Sequence, residues 1–247
     1  MKVTETVLQK AREKLIFALD VADAATALTL VRKLRDEVGL FKVGLELYLA
    51  AGPMIQQKLA NEAGLAKIFF DLKLYDIPAT VLGPITTIFQ GVALLTIPSD
   101  LGPTGLQKIV DAAGSATILA VTVLTSTTAQ DLRTLGYDPR YWPDLTALVL
   151  LRAQMAQAAG CAGVVCSGRE AAAVRQACGP EFLIVCPGIR PAWAKVPGDD
   201  QQRVVTPGEA IKNGADFIVV GRPIRQEPGK EVEAARRVVA EIAAAMQ

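Results

Sequence analysis

The sequence predicts a protein of the α/β class, folded as a single (β/α)8 barrel (TIM barrel). Short apolar runs alternate with longer segments of helical periodicity, and eight such strand-then-helix units fit into 247 residues. The runs are apolar along nearly their whole length, as in parallel strands that helices cover. Eight units suggest closure into a barrel, and the length is normal for one such domain. A doubly wound open sheet is the alternative, because counting units does not prove closure.

The predicted elements follow one another without an obvious linker. The strands are expected at 15–20, 41–45, 66–73, 91–97, 116–124, 163–167, 182–186 and 216–221. The helices are expected at 24–37, 53–63, 79–89, 104–113, 145–159, 169–177 and 230–246. We therefore expect residues 1–247 to form one domain, with a long loop at about 191–207. A loop of this length in a compact barrel is often a lid over the active site.

Composition limits the classes of function. Hydrophobic residues make up 51% of the chain, and the formal net charge is +1. A near-neutral chain of this kind argues against a general nucleic-acid or membrane-surface binder. No apolar run reaches membrane-spanning length, and the N-terminus has no signal-peptide core, so a cytoplasmic protein is expected.

The chain contains four cysteines and no histidine. The cysteines form no CxxC pair, and we interpret them as small buried hydrophobic residues rather than as disulfide or metal ligands. They are Cys161, Cys166, Cys178 and Cys186. Without histidine, Ser-His and Cys-His nucleophile pairs and His-ligated metals are excluded. Acid–base chemistry must then be carried by Lys, Asp, Glu or Tyr.

A charged segment comes at the end of the third apolar run. Asp71 and Lys73 are two residues apart, so they would share one face of an extended strand, and Asp76 lies beyond the strand end. Such charges are costly to remove from water unless they pair or act on a ligand. Catalytic residues of barrels lie at the C-terminal ends of strands, and we therefore predict the reactive centre here.

Other polar residues are predicted on the same rim of the barrel. Asp20 ends strand one, Lys42 lies in strand two between Phe41 and Val43, and Thr125 follows strand five. For Asp20 alone, capping of the next helix is an equally good interpretation. The complete set is better explained by a functional site than by solvated strand ends.

The loops after strands seven and eight predict a phosphate site. Gly188-Ile189-Arg190-Pro191 and Gly221-Arg222-Pro223 each place an arginine beside a glycine. Barrels often bind phosphate between these two loops, and arginine suits bidentate phosphate contacts. The alternative for Arg190 is a surface ion pair with Asp199 or Asp200.

These motifs resemble those of the bacterial orotidine 5′-phosphate decarboxylase family. The pattern Asp71-x-Lys73-x-x-Asp76-Ile77-Pro78-x-Thr80 is similar to the family signature. The resemblance runs almost end to end, through segments 18–20, 41–44, 121–126, 187–191 and 219–224. It implies a homodimeric barrel that converts orotidine 5′-monophosphate to UMP and CO2 in de novo pyrimidine biosynthesis. It also implies that no cofactor and no metal are used.

The resemblance implies a role for each matching residue. Lys73 is the general acid that protonates C6 of the pyrimidine, within an alternating network of Lys42, Asp71, Lys73 and Asp76. Asp76 is expected to serve the partner subunit's site. The implied substrate contacts are Asp20, Lys42 and Asp76 at the ribose, Ile77 and Thr80 beside Asp76, Thr125 at the pyrimidine edge, and Arg190, Gln201, Gly221 and Arg222 at the phosphate.

The sequence departs from the family pattern outside the charge network. Tyr75 stands where histidine is common, and Ala79 where asparagine is common. Pro98-Ser99-Asp100-Leu101-Gly102 replaces a stretch similar to His-Ala-Ser-Gly-Gly. The spacing from Arg190 to Gln201 is two residues longer than in the bacterial pattern. These changes affect the surroundings of the predicted site more than its reaction.

Two other functions stay open at the level of sequence. A sister sugar-phosphate decarboxylase or aldolase keeps the Asp-x-Lys-x-x-Asp core but uses magnesium and an enediolate. Ile77-Pro78-x-Thr80 and Leu124-Thr125-Ser126 favour the nucleotide enzyme. The second alternative is a non-catalytic nucleotide-phosphate sensor on the same barrel. Lys73 and its paired carboxylates argue against it, because a binder gains little from burying that network.

Overall fold

The structure, a computed structural model, describes residues 4–194 and 203–247. Within these ranges, eight parallel strands form a closed barrel in chain order, β1 to β8. Pairing of β1 with β8 closes the barrel, with Phe17 opposite Val220. The strands are β1 Leu15–Ala18, β2 Leu40–Val43, β3 Ile68–Phe70, β4 Leu94–Pro98, β5 Ile118–Val121, β6 Gly163–Val165, β7 Leu183–Cys186 and β8 Phe217–Val220. The predicted (β/α)8 barrel is confirmed, and the open sheet is excluded.

Helices cover the outside of the barrel. In the described ranges they are α1 Glu5–Glu13, α2 Ala24–Leu34, α3 Leu45–Ala51, α4 Met54–Ala63, α5 Pro78–Thr87, α6 Gly102–Ala112, α7 Ala129–Thr134, α8 Thr146–Ala158, α9 Ala171–Cys178, α10 Pro207–Lys212, α11 Arg222–Arg225 and α12 Glu231–Ala245. The sequence did not predict α1, α3, α7, α10 or α11, of which all but α1 are shorter than eight residues. No helix in this part of the chain combines the length and apolarity needed to cross a membrane.

The core has an inner and an outer layer. Side chains that alternate along the strands fill the barrel interior, including Ile16, Phe69, Leu119, Val185 and Val219. The intervening strand residues pack outward against the helices and form the larger cluster. This alternation is the period-two pattern of a strand whose two faces are both buried. All four cysteines are buried and unpaired, as predicted.

The N-terminal end of the barrel carries a buttressing ion pair. Arg175 of α9 lies 2.6 Å from Oδ2 of Asp216, which directly precedes β8. The same guanidinium donates to the carbonyl oxygens of Gly179, Phe182 and Gly214. Because this end of a barrel carries stability rather than catalysis, the Arg175 cluster is a structural feature.

The predicted loop at about 191–207 is only partly described, since residues 195–202 fall outside the described ranges. On its N-terminal side, Trp193 stacks on Arg237 of α12, whose guanidinium carbon lies 4.0 Å from the ring centroid. The indole N–H donates to Glu241 at 2.6 Å. On its C-terminal side, Val205 bridges to Ile189. Both ends of the loop are thus fixed to the barrel, and its function as a lid stays a prediction.

Candidate active site

A cavity of about 520 Å³ opens at the C-terminal ends of the strands. Eight of the predicted site residues line it, on six different strands or the loops that follow them. They are Asp20, Lys42, Asp71, Lys73, Thr125, Arg190, Gly221 and Arg222. Glu46 and Arg225 also line the cavity and were not predicted from the sequence. These eight residues therefore lie together on the predicted rim, and their roles in binding or catalysis stay predictions.

Lys42 points into the barrel because of strand alternation. Its neighbours Phe41 and Val43 pack outward in the larger cluster, so the side chain between them faces the interior. The ammonium donates to Asp20 Oδ1 at 2.9 Å and lies 3.9 Å from Asp71 Oδ2. Only 10% of the lysine side chain is exposed. Two carboxylates therefore balance an ammonium that burial would otherwise disfavour.

Asp71 and Lys73 meet, but not in the way the sequence predicted. The strand β3 ends at Phe70, so neither residue lies on an extended strand. Lys73 adopts a φ of 50°, in the left-handed region, and this turn brings its side chain back toward Asp71. The distance from Lys73 Nζ to Asp71 Oδ1 is 2.7 Å. Asp71 and Lys73 thus do not share the face of a strand as predicted, but their side chains are in contact.

Thr96 of β4 holds this turn in place. Its hydroxyl accepts the Lys73 N–H at 2.9 Å and donates to Asp71 Oδ1 at 3.0 Å. Its carbonyl accepts the Leu74 N–H at 3.2 Å. Thr96 was not predicted from the sequence, although a threonine in an otherwise apolar strand is a usable signal. One buried side chain thus fixes both the backbone of the lysine and the carboxylate beside it.

The environment keeps Asp71 ionised. Burial is the largest influence and by itself would raise the pKa of this carboxyl. The ammonium groups of Lys73 and Lys42, with hydrogen bonds from Lys73 and Thr96, outweigh it and lower the pKa below its ordinary value. The charges Asp20, Lys42, Asp71 and Lys73 therefore alternate in sign through the cavity.

The opposite wall of the cavity carries the arginines. Arg190 follows β7, and Arg222 begins the short helix α11 directly after β8. Gly221 lies so close to β1 that an added Cβ would be 3.1 Å from the Cβ of Ala18. Gly188 has a φ of 72°, which side chains other than glycine rarely adopt. Both glycine-arginine pairs predicted from the sequence therefore lie on one side of the cavity.

Three predicted residues within the described ranges do not line the cavity of the single chain. Asp76, Ile77 and Thr80 are exposed, and the side chain of Asp76 accepts the Ile77 N–H at 2.6 Å. Ile77 is 67% exposed, which is unusual for an isoleucine. Gln201 lies outside the described residues. The roles implied for these four residues stay predictions.

The fold and the site define the class of the protein: a barrel enzyme with a charged cavity at the C-terminal ends of its strands. Residues 13–238 match the family model described as "Orotidine 5'-phosphate decarboxylase / HUMPS family". The chain belongs to this family.

Individual relatives agree with the family match. The chain is 44% identical to the orotidine 5′-phosphate decarboxylase of Desulfosudis oleivorans, covering 100% of both chains. It is 41% identical to that of Moorella thermoacetica, covering 98% of this chain and 97% of the relative. Among solved structures, orotidine 5′-phosphate decarboxylase from Lactobacillus acidophilus aligns with a TM-score of 0.78 at 32% identity. That alignment covers 92% of this chain and 98% of the other.

Proposed function

We propose that the protein decarboxylates orotidine 5′-monophosphate to UMP and CO2, in de novo pyrimidine biosynthesis and without a cofactor. The observation that carries the proposal is the alternation of Lys42, Asp71 and Lys73 in one cavity, opposite Arg190 and Arg222. The relatives named as this decarboxylase, at 40–44% identity, support the choice of substrate. A pyrimidine nucleotide would place its phosphate at the arginines and its C6 carboxylate near Lys73.

In the proposed reaction, Lys73 stabilises and then protonates the reactive carbon. Loss of CO2 breaks the C6–carboxyl bond and leaves its electron pair on C6, where the ring delocalises it poorly. The ammonium held by Asp71 opposes that developing charge. Its proton then forms the C6–H bond, and the resulting neutral amine recovers a proton from solvent. Lys73 is accordingly the general acid.

Asp71 would also face the carboxylate of the bound substrate. At about 4 Å, two such charges repel by roughly 4 kcal/mol when the effective dielectric constant is about 20. This repulsion would disappear as CO2 leaves, so it favours the transition state if contacts elsewhere hold the substrate in place. The lowered pKa of Asp71 supports the proposal, because a protonated carboxyl would exert no such repulsion.

The remaining site residues would bind and orient the nucleotide. Asp20 and Lys42 would hold the ribose hydroxyls, and Thr125 would read the pyrimidine edge. Arg190, Gly221 and Arg222 would bind the phosphate together with Gln201. Asp76, with Ile77 and Thr80, would enter the site of a second subunit in a homodimer, which their exposure in the single chain supports. We place the proposed reaction in nucleotide metabolism in the cytoplasm.

The charge pairing favours this reaction over a magnesium-dependent relative. Asp71 already faces Lys73 Nζ at 2.7 Å and Lys42 Nζ at 3.9 Å, so a divalent cation there would lie against two ammonium groups. The test is the absorbance change on adding orotidine 5′-monophosphate to EDTA-treated protein. Turnover that persists after EDTA supports the proposal, whereas turnover restored only by magnesium contradicts it.

A single variant tests the role of Lys73. We expect Lys73→Ala to abolish CO2 release while leaving UMP binding measurable by calorimetry, because the phosphate and ribose contacts remain. Lys108→Ala is the control, since Lys108 is exposed on α6 and should leave turnover unchanged. Near-normal turnover of Lys73→Ala would exclude the proposed proton transfer.

A further inference from the structure

We propose that Arg203 is a positioning residue, which aligns the base-binding end of the cavity with its phosphate-binding end. The inference rests on the proposed function, because it assigns Thr125 to the pyrimidine and Arg190 to the phosphate. Arg203 does not line the cavity and would not touch the substrate. It would act through the backbone segments that it holds.

The first observation is a pair of carbonyl oxygens at the end of β5. Arg203 Nη2 donates to the carbonyls of Val123 and Leu124, at 3.1 and 2.7 Å. Thr125 is the next residue, so its backbone position is set by carbonyls that one guanidinium holds. The preceding carbonyl, of Thr122, accepts from Arg152 of α8. Three consecutive carbonyls before Thr125 are thus fixed by arginine side chains.

The second observation is the buried partner of this guanidinium. Arg203 Nη1 lies 2.7 Å from Glu170 Oε1, and their side chains are 10% and 4% exposed. Glu170 immediately precedes α9, near the C-terminal end of β6. The hydroxyl of Ser167 donates to the carbonyl of Arg203 at 3.1 Å, so both its backbone and its side chain are held. Arg203 is therefore rigidly placed between the ends of β5 and β6.

The third observation connects the same segment to the phosphate side. Val205, two residues beyond Arg203, accepts the Arg190 N–H at 2.9 Å and forms a bridge with Ile189. A stretch of three residues thus contacts the backbone of Arg190 at one end and the residues before Thr125 at the other. The distance between the phosphate-binding and base-reading groups is set through this stretch.

Stability alone is a poor explanation for the pair. A buried ion pair loses much of its attraction to desolvation, and apolar residues of similar volume often stabilise a protein as well. Glu170 Oε2 and Arg203 Nε have no hydrogen-bond partner among the described residues, so the pair is not fully satisfied within them. What arginine supplies is a planar fork that reaches two carbonyls and one carboxylate simultaneously, which lysine does not have.

The test compares a ligand that carries a base with one that carries an anomeric hydroxyl in its place. UMP and ribose 5-phosphate would share the sugar and phosphate contacts, and only UMP would use Thr125. We expect Arg203→Lys to lower the affinity for UMP about tenfold relative to that for ribose 5-phosphate, about the effect of one lost hydrogen bond. The value of kcat/KM for orotidine 5′-monophosphate should fall roughly 10- to 100-fold, because the base is misplaced.

Two further variants complete the design. Glu170→Gln keeps an acceptor for Arg203, so it should lower the affinity for UMP relative to ribose 5-phosphate less than Arg203→Lys does. It also replaces Arg203→Lys in the test if that variant does not fold. Arg175→Lys is the matched control, because Arg175 also joins an ion pair with carbonyl contacts, at the opposite end of the barrel. It should lower the melting temperature without changing the affinity ratio.

The outcomes separate the two proposals. The positioning role would be overturned if folded Arg203→Lys and Glu170→Gln kept the wild-type ratio of affinities for UMP and ribose 5-phosphate. An equal loss of affinity for both ligands leaves that ratio unchanged and would have the same meaning. Wild-type protein that releases no CO2 from orotidine 5′-monophosphate would overturn the proposed function instead. Calorimetric titration with the two ligands reads the positioning role separately from turnover.

Discussion

At the scale of single residues, the backbone of Lys73 is the most informative feature of the site. Among the described residues other than glycine, it alone has a positive φ. Left-handed geometry costs an L-residue roughly 1–2 kcal/mol, so surrounding contacts must hold it. Those contacts come from Thr96, which accepts the N–H groups of Lys73 and Leu74. The strained backbone of Lys73 therefore places the ammonium group that we propose as the proton donor.

The charge on Asp71 makes a prediction at the same scale. Its pKa is lowered in the folded protein, so ionised Asp71 stabilises the fold above the ordinary pKa of about 3.9, and this stabilisation is lost as the pH falls through the lowered value. We expect Asp71→Asn to lower the free energy of unfolding at pH 7 by roughly 3–5 kcal/mol, because it leaves two lysines without their shared carboxylate.

Urea unfolding of both proteins, at one protein concentration, measures this difference. The gap between wild type and Asp71→Asn should stay constant from pH 8 to about 4 and narrow below that. Asp36→Asn is the control, since Asp36 is 88% exposed in its side chain and should change stability little at any pH. A gap that widens as the pH falls would contradict the lowered pKa of Asp71.

At the scale of elements, the sequence predicted which segments are strands better than where they end. The run 66–73 was predicted as a strand, yet only Ile68–Phe70 pairs in the barrel. Apolar periodicity stops being informative where a strand gives way to a turn whose geometry depends on a neighbour, here Thr96. The short helix α3 was missed for a related reason, because seven residues carry too little periodicity to distinguish a helix from a loop.

Thr96 gives the prediction that belongs to the elements β3 and β4. We expect Thr96→Val to leave the Lys73 N–H without its acceptor, lowering the free energy of unfolding by about 1–3 kcal/mol. It should also reduce kcat about tenfold or more, because Lys73 and Asp71 lose their common support. Urea unfolding and steady-state turnover measure the two effects.

Thr122→Val is the matched control for this experiment. Thr122 is equally buried, and its hydroxyl donates to the Val165 carbonyl at 2.9 Å without contacting either charged residue. A comparable loss of stability with a smaller loss of kcat would attribute the catalytic effect to the contacts of Thr96. Equal losses of kcat in both variants would show that the contacts of Thr96 with Lys73 and Asp71 have no special effect on turnover.

At the scale of the whole molecule, the net charge is near neutral, yet several cationic side chains are concentrated in one cavity. The cavity brings together Lys42, Lys73, Arg190 and Arg222 from widely separated parts of the chain. The glycine-arginine motifs predicted Arg190 and Arg222, the Asp-x-Lys pattern predicted Lys73, and the apolar neighbours of Lys42 predicted that residue. Each of these signals is local in sequence. Arg203 and Glu170 are 33 residues apart in sequence, and no short sequence motif contains both. Their contact therefore becomes visible only in the folded barrel.

The proposed site is incomplete in the single chain, and a second subunit would complete it. Asp76, Ile77 and Thr80 follow Lys73 by only a few residues, yet they are exposed and do not line the cavity that Lys73 lines. A residue proposed to bind the ribose must enter some cavity, and in a two-fold dimer the segment of one subunit can enter the cavity of the other. This geometry makes a quantitative prediction about mixtures of inactive variants.

We expect Lys73→Ala and Asp76→Ala to be inactive or severely impaired separately and to regain activity when mixed. In a heterodimer, one cavity would combine both substitutions and the other would have neither. Random exchange of equal amounts makes half of the dimers mixed, so about a quarter of the wild-type sites should be restored. Turnover after mixing, with subunit exchange verified by native mass spectrometry, measures this. If exchange is complete and no activity returns, Asp76 acts within its own chain, and the segment 76–80 must then move toward the Lys73 cavity when substrate binds.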